Sequence, residues 1–427
     1  MLPPRSPNRK PLSSPYSATR WKDIIQHVTT PWVLLQLLFL GNTCYMYGAF
    51  FQADNRAHAL KILAVDYDGA EIGEALKLAY ESLEAKNFPT LEFRTPEDFP
   101  TPDLVEDAVC RGDYWAAIRT YSDASNRVIE AINGNNTTTY DPGDTISYTY
   151  LGVYYPAVAA SVLDAKLKAL ANTASRSYYS VAHEARSAVD LTDPVASSVF
   201  FNPIQASSSI KAATNQGTRV LFNTVSMVMP QLVQFFFTMG LNAVFTFTGA
   251  FASMSKRDVY LVRLLLTKSF SLTSALGMAG YIWAFREDWT VSAGQFFSTW
   301  MCLWLLMDIN YLVVDTFIEV VVPMRFWAYC LLSWIIAGVT STVYPFELSP
   351  GFYRWGHALP AHNVWRLLMM IWPGGCRQNG LKVALPVLFA WWVAGNLSDA
   401  WSVRRRCMLN EKAAGMGIIE TAEPSSS

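Results

Sequence analysis

The chain has 427 residues, of which 52% are hydrophobic and 16% charged, and it is too apolar for an ordinary soluble protein. Its net charge of −1 hides a segregation: residues 52–219 hold 22 acids against 14 bases and carry −8, while the remainder carries +7. That distribution excludes a nucleic-acid binder, which needs a basic face, and suits a membrane protein with an acidic domain on one side.

Six apolar stretches follow one another at 31–51, 220–253, 270–285, 291–314, 326–344 and 381–401. Most approach or exceed the ~20 residues that a helix needs to cross ~30 Å of hydrocarbon. Residues 1–30 open with a Pro-, Ser- and Arg-rich run, which reads as a disordered cytosolic segment. The first stretch, 31–51, lacks a small-residue cleavage pattern after it and reads as a signal anchor.

Residues 52–219 read as an α/β domain. Lys61–Asp66, Leu91–Arg94, Tyr114–Ile118 and Thr145–Leu151 have strand patterns. Glu71–Ala85, Asp103–Arg111 and Tyr155–Val189 have helical ones, and Pro194 and Pro203 break the chain before the next apolar stretch. Asn135 and Asn136 begin overlapping glycosylation sequons in a polar loop. Asp66 and Asp68 fit a strand-end turn better than a metal pair.

Stretch two has no charge over 220–253 and contains Pro230, so a tilt, a kink or an extension above the membrane is expected. Basic residues mark one side of the series: Arg5, Arg9, Lys10, Arg20 and Lys22 before the first span, and Lys256, Arg257, Arg263 and Lys268 between the second and third. Arg325 follows the fourth, and Arg404–Arg406 follow the sixth. By the positive-inside rule both termini are cytosolic, 52–219 is extracytosolic, 220–403 is a five-helix membrane domain, and 404–427 is a basic cytosolic tail. Residues 345–380 carry four prolines and three tryptophans and read as an outer re-entrant or interfacial element, with a short helix over Asn363–Trp372.

Four residues are candidates for a transport path. Asp315 and Glu319 each fall within roughly 20° of Asp308 on a helix and with it give the fourth span an acidic stripe. The competing reading puts Asp315 and Glu319 at the cytosolic interface, paired with Arg325, Arg263 or Lys268. Gln234 and Asn242, with Thr238 and Thr246, make a polar face on span two that lines a cavity or holds helices together. Of six scattered cysteines, Cys110 and Cys376 both fall on the outer side, where a disulfide is permitted. His357 and His362 have poor metal spacing. Neither a phosphate-binding GxxxxGK[ST] loop nor an HExxH, a GxSxG or a zinc-spaced Cys/His set occurs, so no cofactor, metal or catalytic motif is expected.

Three segments carry a resemblance: Lys61-Ile-Leu-Ala-Val-Asp-Tyr-Asp-Gly-Ala-Glu-Ile-Gly73, Gly112-Asp-Tyr-Trp-Ala-Ala-Ile118 and Pro350-Gly-Phe-Tyr-Arg-Trp-Gly-His-Ala-Leu-Pro360. With the layout of one anchor, an outer α/β domain and five further spans, the chain resembles the fungal nitrosoguanidine-resistance family. In plan it also resembles the membrane domains of type-2 ABC exporters, including the Pip/YhgE-like branch. The resemblance covers about residues 30–402. It implies a multispan protein tied to resistance against toxic compounds, through export or altered membrane composition. The topology, the acidic stripe and the polar face of span two point to a transporter-like protein that exports such a compound or translocates a lipid. A plasma-membrane location is preferred over a vacuolar or other secretory-pathway membrane. The expected partners are the lipid bilayer, a small amphipathic or lipid substrate and a second copy as homodimer. The alternatives are a scaffold or regulator working through the outer domain and, behind it, a membrane enzyme.

Overall fold

The computed structural model describes residues 15–133, 140–183, 192–211, 222–286, 289–320, 326–376 and 380–422. Helix α1 (Pro15–Phe50) starts well before the expected boundary at residue 31. Proline is preorganised for a first helical turn, and the helix runs from it without a break into the apolar span.

The segment that follows builds a five-stranded sheet from β1 (Lys61–Val65), β2 (Thr90–Arg94), β3 (Ala116–Thr120), β4 (Ile146–Leu151) and β5 (Ala206–Lys211), in the order β2-β1-β3-β4-β5. Strand β1 runs parallel to β2 and β3, β4 is antiparallel to β3, and β5 is parallel to β4. Helices α2 (Glu71–Leu83), α3 (Pro102–Arg111), α4 (Ala124–Ile132), α5 (Ala165–Val181) and α6 (Pro194–Phe201) complete the domain. Alternation in the strands sends Ile62, Ala64, Ala116 and Ile118 into the core under α2, α4 and α5, and Leu63, Val65 and Ala117 into a second core under α3. Both faces of the sheet are covered, as a largely parallel sheet requires. Strand β3 sits two residues later than its expected span, and α4, α6 and β5 were not anticipated.

The turn after β1 confirms a structural use for its acids. Asp66 Oδ1 accepts from the Thr120 hydroxyl at 2.8 Å and from the Gly69 amide at 3.1 Å. Asp68 Oδ1 accepts from the Ser125 amide at the start of α4 at 2.9 Å. A Cβ on Gly73 would lie 1.9 Å from the Asp66 carboxylate, so this helix can approach the turn only with glycine there.

The apolar remainder forms α7 (Phe222–Phe247), α8 (Ala250–Ser253), α9 (Lys256–Ala284), α10 (Ala293–Val320), α11 (Trp327–Val343), α12 (Pro360–Ile371) and α13 (Leu381–Ala422). Among the described residues five helices, α1, α7, α9, α10 and α13, are long and apolar enough to cross a membrane. The sixth apolar helix, α11, has 17 residues, or roughly 26 Å. Stretch two is not one long span. It contains Pro230 without breaking, then stops at Phe247, and Gly249 turns the chain at φ +66° into α8. Span three begins at Lys256 rather than 270, so Arg263 and Lys268 belong to a helix and not to a loop. The last helix also runs on through the three arginines expected in a tail. The sequons at Asn135 and Asn136, and Arg325, lie outside the described residues.

Domain and helices share one continuous apolar core. The rings of Tyr155 and Trp365 meet at 6.1 Å across their boundary, and Cys110 at the end of α3 is disulfide-bonded to Cys376 after α12. The segment 350–360 seats α1: the Tyr353 hydroxyl donates to the Tyr45 carbonyl at 2.7 Å, and Gly48 leaves room for that ring.

The bridge closes a loop of 266 residues. In the denatured, unreduced protein four thiols should react with a maleimide, those of Cys44, Cys302, Cys330 and Cys407, and six after reduction. Cys110→Ser should lower thermal stability by on the order of 2–5 kcal/mol, read from melting of the detergent-solubilised protein.

Candidate functional site

Four helices converge near the end of the bundle opposite the domain, which we call the distal end. Asp315 of α10 is fully buried, and three helices bring donors to its Oδ1. Arg263 of α9 donates to Asp315 Oδ1 at 2.9 Å, Arg406 of α13 at 3.3 Å and Asn242 of α7 at 3.3 Å. Arg406 also donates to Asn242 Oδ1 at 2.7 Å, and Arg263 to the Tyr311 hydroxyl at 3.1 Å. The Arg263 guanidinium lies 5.4 Å from the Phe245 ring centre and 5.5 Å from that of Phe251, a favourable face for a cation with few hydrogen-bond partners. Asp399 of α13, also buried, faces Asp315.

Two turns nearer the domain, about 10 Å along α10, Asp308 forms a second pair. Lys268 of α9 bonds its Oδ2 closely, and the Trp392 indole of α13 donates to the same oxygen at 2.8 Å. The Lys268 ammonium also sits 5.2 Å from the Trp392 ring centre. Beside this level the Trp334 indole of α11 donates to Asn310 Oδ1 at 3.0 Å, and Ser271 donates to Gln234 Oε1 at 3.4 Å. Asp308 thus faces Lys268, while Asp315 and Asp399 face Arg263 and Arg406.

Helix geometry places these groups. Trp392, Asp399 and Arg406 recur every seven residues on α13, and Asp308 and Asp315 do so on α10, so each set shares a face. Gly395 lets those faces meet, since a Cβ there would lie 2.9 Å from Leu312 Cβ. Several buried polar atoms along the same axis have no hydrogen-bond partner among the described residues: Gln231 Oε1, Gln234 Nε2, Asp308 Oδ1 and Asn310 Nδ2. Buried polar groups are rarely left this way without water or a ligand to serve them.

Of the four sequence candidates, Asp315 and Asn242 touch each other, while Asp308 and Gln234 sit one level up in separate bonds. Arg263 pairs with Asp315, as the interfacial reading of that acid expected. Lys268 pairs instead with Asp308, and the side chain of Glu319 lies outside the described residues. Arg406 and Asp399 went unread as site residues. Asp399 had a signal, being the one acid inside the sixth apolar stretch.

His357 and His362 meet away from this column. His362 Nδ1 is 2.9 Å from the Ser341 carbonyl, which only accepts, so that nitrogen carries the proton and His362 Nε2 accepts from His357 Nδ1 at 3.2 Å. Among the described residues no group of three or more His, Cys, Asp or Glu could hold a metal ion.

The family model described as "Protein of unknown function (DUF3533)" matches residues 32–397, and the chain belongs to that family. No solved structure matches the chain.

Removing one member of a buried charge set leaves the others uncompensated. Arg263→Met should destabilise the solubilised protein by about 3–5 kcal/mol, whereas Arg404→Gln, at an exposed site on the same helix as Arg406, should stay within about 0.5 kcal/mol. Burial also pushes His362 from its ordinary 6.5 down to about 3. The unfolded chain therefore takes up a proton below pH 6.5 that the folded chain refuses, and stability is lost as pH falls from there. The melting temperature should drop between about pH 7 and about pH 5, and His362→Gln should flatten that slope.

Proposed function

We propose that this protein is a transporter-like membrane protein that moves a small amphipathic compound or a lipid out of the cytosolic leaflet. In this reading α11 crosses as a sixth span and both termini are cytosolic. The basic clusters support that orientation, and so does the Cys110–Cys376 bridge, since disulfides persist on the oxidising side of a membrane. The distal end is then the cytosolic one, and the acidic domain stands in the extracytosolic space of the plasma membrane or a secretory-pathway membrane.

The observation that carries the reading is the column of charges and unpartnered polar atoms buried among α7, α9, α10 and α13. Ionisable groups at membrane depth are expensive, and they are kept where a substrate or ion must pass. The Asp308–Lys268 pair is the candidate moving part. It is held by one close bond and an indole, it lies nearer mid-membrane than the Asp315 set, and Lys268 retains partial exposure. Exchange of that pair for substrate contacts would open the column without dismantling the four-helix junction beneath. A homodimer would give two such columns side by side.

A second reading, a scaffold acting through the outer domain, has one observation in its favour. The charges at Asp315 satisfy one another and could serve only to fix helix register. The two readings part on a complementation assay. In cells lacking the gene, Asp308→Asn and Lys268→Gln should each reduce efflux of nitrosoguanidine-type compounds, or outward movement of labelled phospholipid, by at least about tenfold, roughly 1.4 kcal/mol of barrier. Rates are compared per molecule at the cell surface, because losing one member of the buried pair also lowers stability. Normal handling of both probes by both variants would remove the column from any transport mechanism and leave the scaffold.

A further inference from the structure

A groove of about 330 Å³ runs between α1 and α11, lined by Leu38, Tyr329, Cys330, Ser333, Trp334 and Ala337. That volume is at the small end of the range for sites that hold a compact ligand. Its walls are apolar apart from the Tyr329 and Ser333 hydroxyls. Asn42, one turn along α1 from Leu38, donates to the Ser333 hydroxyl at 3.2 Å. On α11 the groove's lining residues run from the third to the eleventh of the 17 positions, counted from the distal end.

We propose that this groove binds one acyl chain of a membrane lipid drawn from the leaflet at the distal end. Three observations choose that occupant. First, the groove opens on the surface of α1, where Leu34, Leu35, Leu37, Phe39 and Leu40 are all exposed and would face hydrocarbon. A soluble ligand has no route to it. Second, α1 is held near its domain end by the contacts of Tyr45, Gly48 and Phe50 and further out by the Asn42–Ser333 bond, while none of residues 21–40 is buried. A flexible chain can therefore enter from below without displacing packed side chains.

Third, the back wall is polar on its far side. Trp334 forms that wall, and its indole N–H is spent on Asn310 of α10, whose own Nδ2 has no hydrogen-bond partner among the described residues. Trp334 thus stands between the bilayer-facing slot and Asn310, so the slot itself stays apolar and suits the hydrocarbon tail of an amphipathic molecule rather than its polar end. The proposal rests on the transport reading for what the bound lipid is for, but not for the binding itself.

The test uses the full-length protein in phosphatidylcholine vesicles containing a phospholipid with a photoreactive group in its acyl chain. Labelled peptides are then mapped by mass spectrometry. Labelling should concentrate on Leu38 and the 329–337 segment over the lipid-facing Leu265 and Leu397. Ala337→Trp, which fills the slot, should abolish that enrichment while leaving the label on Leu265. Even labelling of all bilayer-facing helices, insensitive to Ala337→Trp, would mean annular lipid only and would overturn the proposal, as would crosslinks from this segment to a second copy.

Should Ala337→Trp fold poorly, Cys330 supplies a second readout. With Cys44, Cys302 and Cys407 replaced by Ser, a fluorophore on Cys330 should be quenched by brominated acyl chains more strongly than one placed at Leu265→Cys. Equal quenching would again overturn the proposal. Site-specific labelling in a protein whose Asp308→Asn variant transports normally would sink the transport reading and keep the lipid site. Transport without site-specific labelling would do the reverse.

Discussion

The junction at Asp315 is the contact on which the rest of the bundle depends. One carboxylate oxygen gathers bonds from α7, α9 and α13 onto α10. Burying these charges costs several kcal/mol per ion before any bond forms, so the junction contributes little net stability compared with apolar packing of the same volume. What it contributes is register. A slip of either neighbouring helix by one turn would carry an arginine about 5.4 Å from its partner and leave both charges in an apolar interior. Such a misfit is penalised far more heavily than a displaced leucine, and the four helices are thereby fixed along their axes.

That fixed register sets the geometry at the opposite end. With α10 and α13 locked through Asp315 and through Gly395 against Leu312, α12 is held where Trp365 meets Tyr155 and where Cys376 reaches Cys110. The outer domain is then bound covalently and by a shared core to the part of the bundle that the charges position. A rearrangement of the Asp308 level can be transmitted to α12 through the α10–α13 pair, without passing through α1, which lies outside this set of contacts.

The sequence reading recovered the α/β domain because its strands and helices alternate with clear periods, and because Gly112 and the prolines punctuate them. It missed α4, α6 and β5, whose patterns are short or polar: Ala206–Lys211 holds three serines and has only Ala206 and Ile210 to pack against the core. Five of the six apolar stretches lie in helices long and apolar enough to cross a membrane, but their limits were misplaced wherever a charge was taken to end a helix. Lys256–Lys268 and Arg404–Arg406 continue their helices because Arg263, Lys268 and Arg406 meet carboxylates on α10. A hydropathy window scores each charge alone and cannot register a partner some fifty or ninety residues away. The stripe Asp308–Asp315 was legible from its spacing; that its two acids belong to separate levels was not, since that depends on which base each helix brings.

The same partition explains why α1 can be both attached and yielding. Its aromatic clamp lies at the domain end, where Tyr45 meets Tyr353 at 5.0 Å and Phe50 meets Tyr344 at 5.1 Å. Its distal half has no buried residue within the candidate span. A helix pinned at one end pivots about that end, and a small angular change there opens a wide gap at the other. The slot beside Trp334 can therefore widen while the clamp, the disulfide and the Asp315 junction all stay intact. Access from the bilayer and rigidity of the charged column are compatible because different helices supply them.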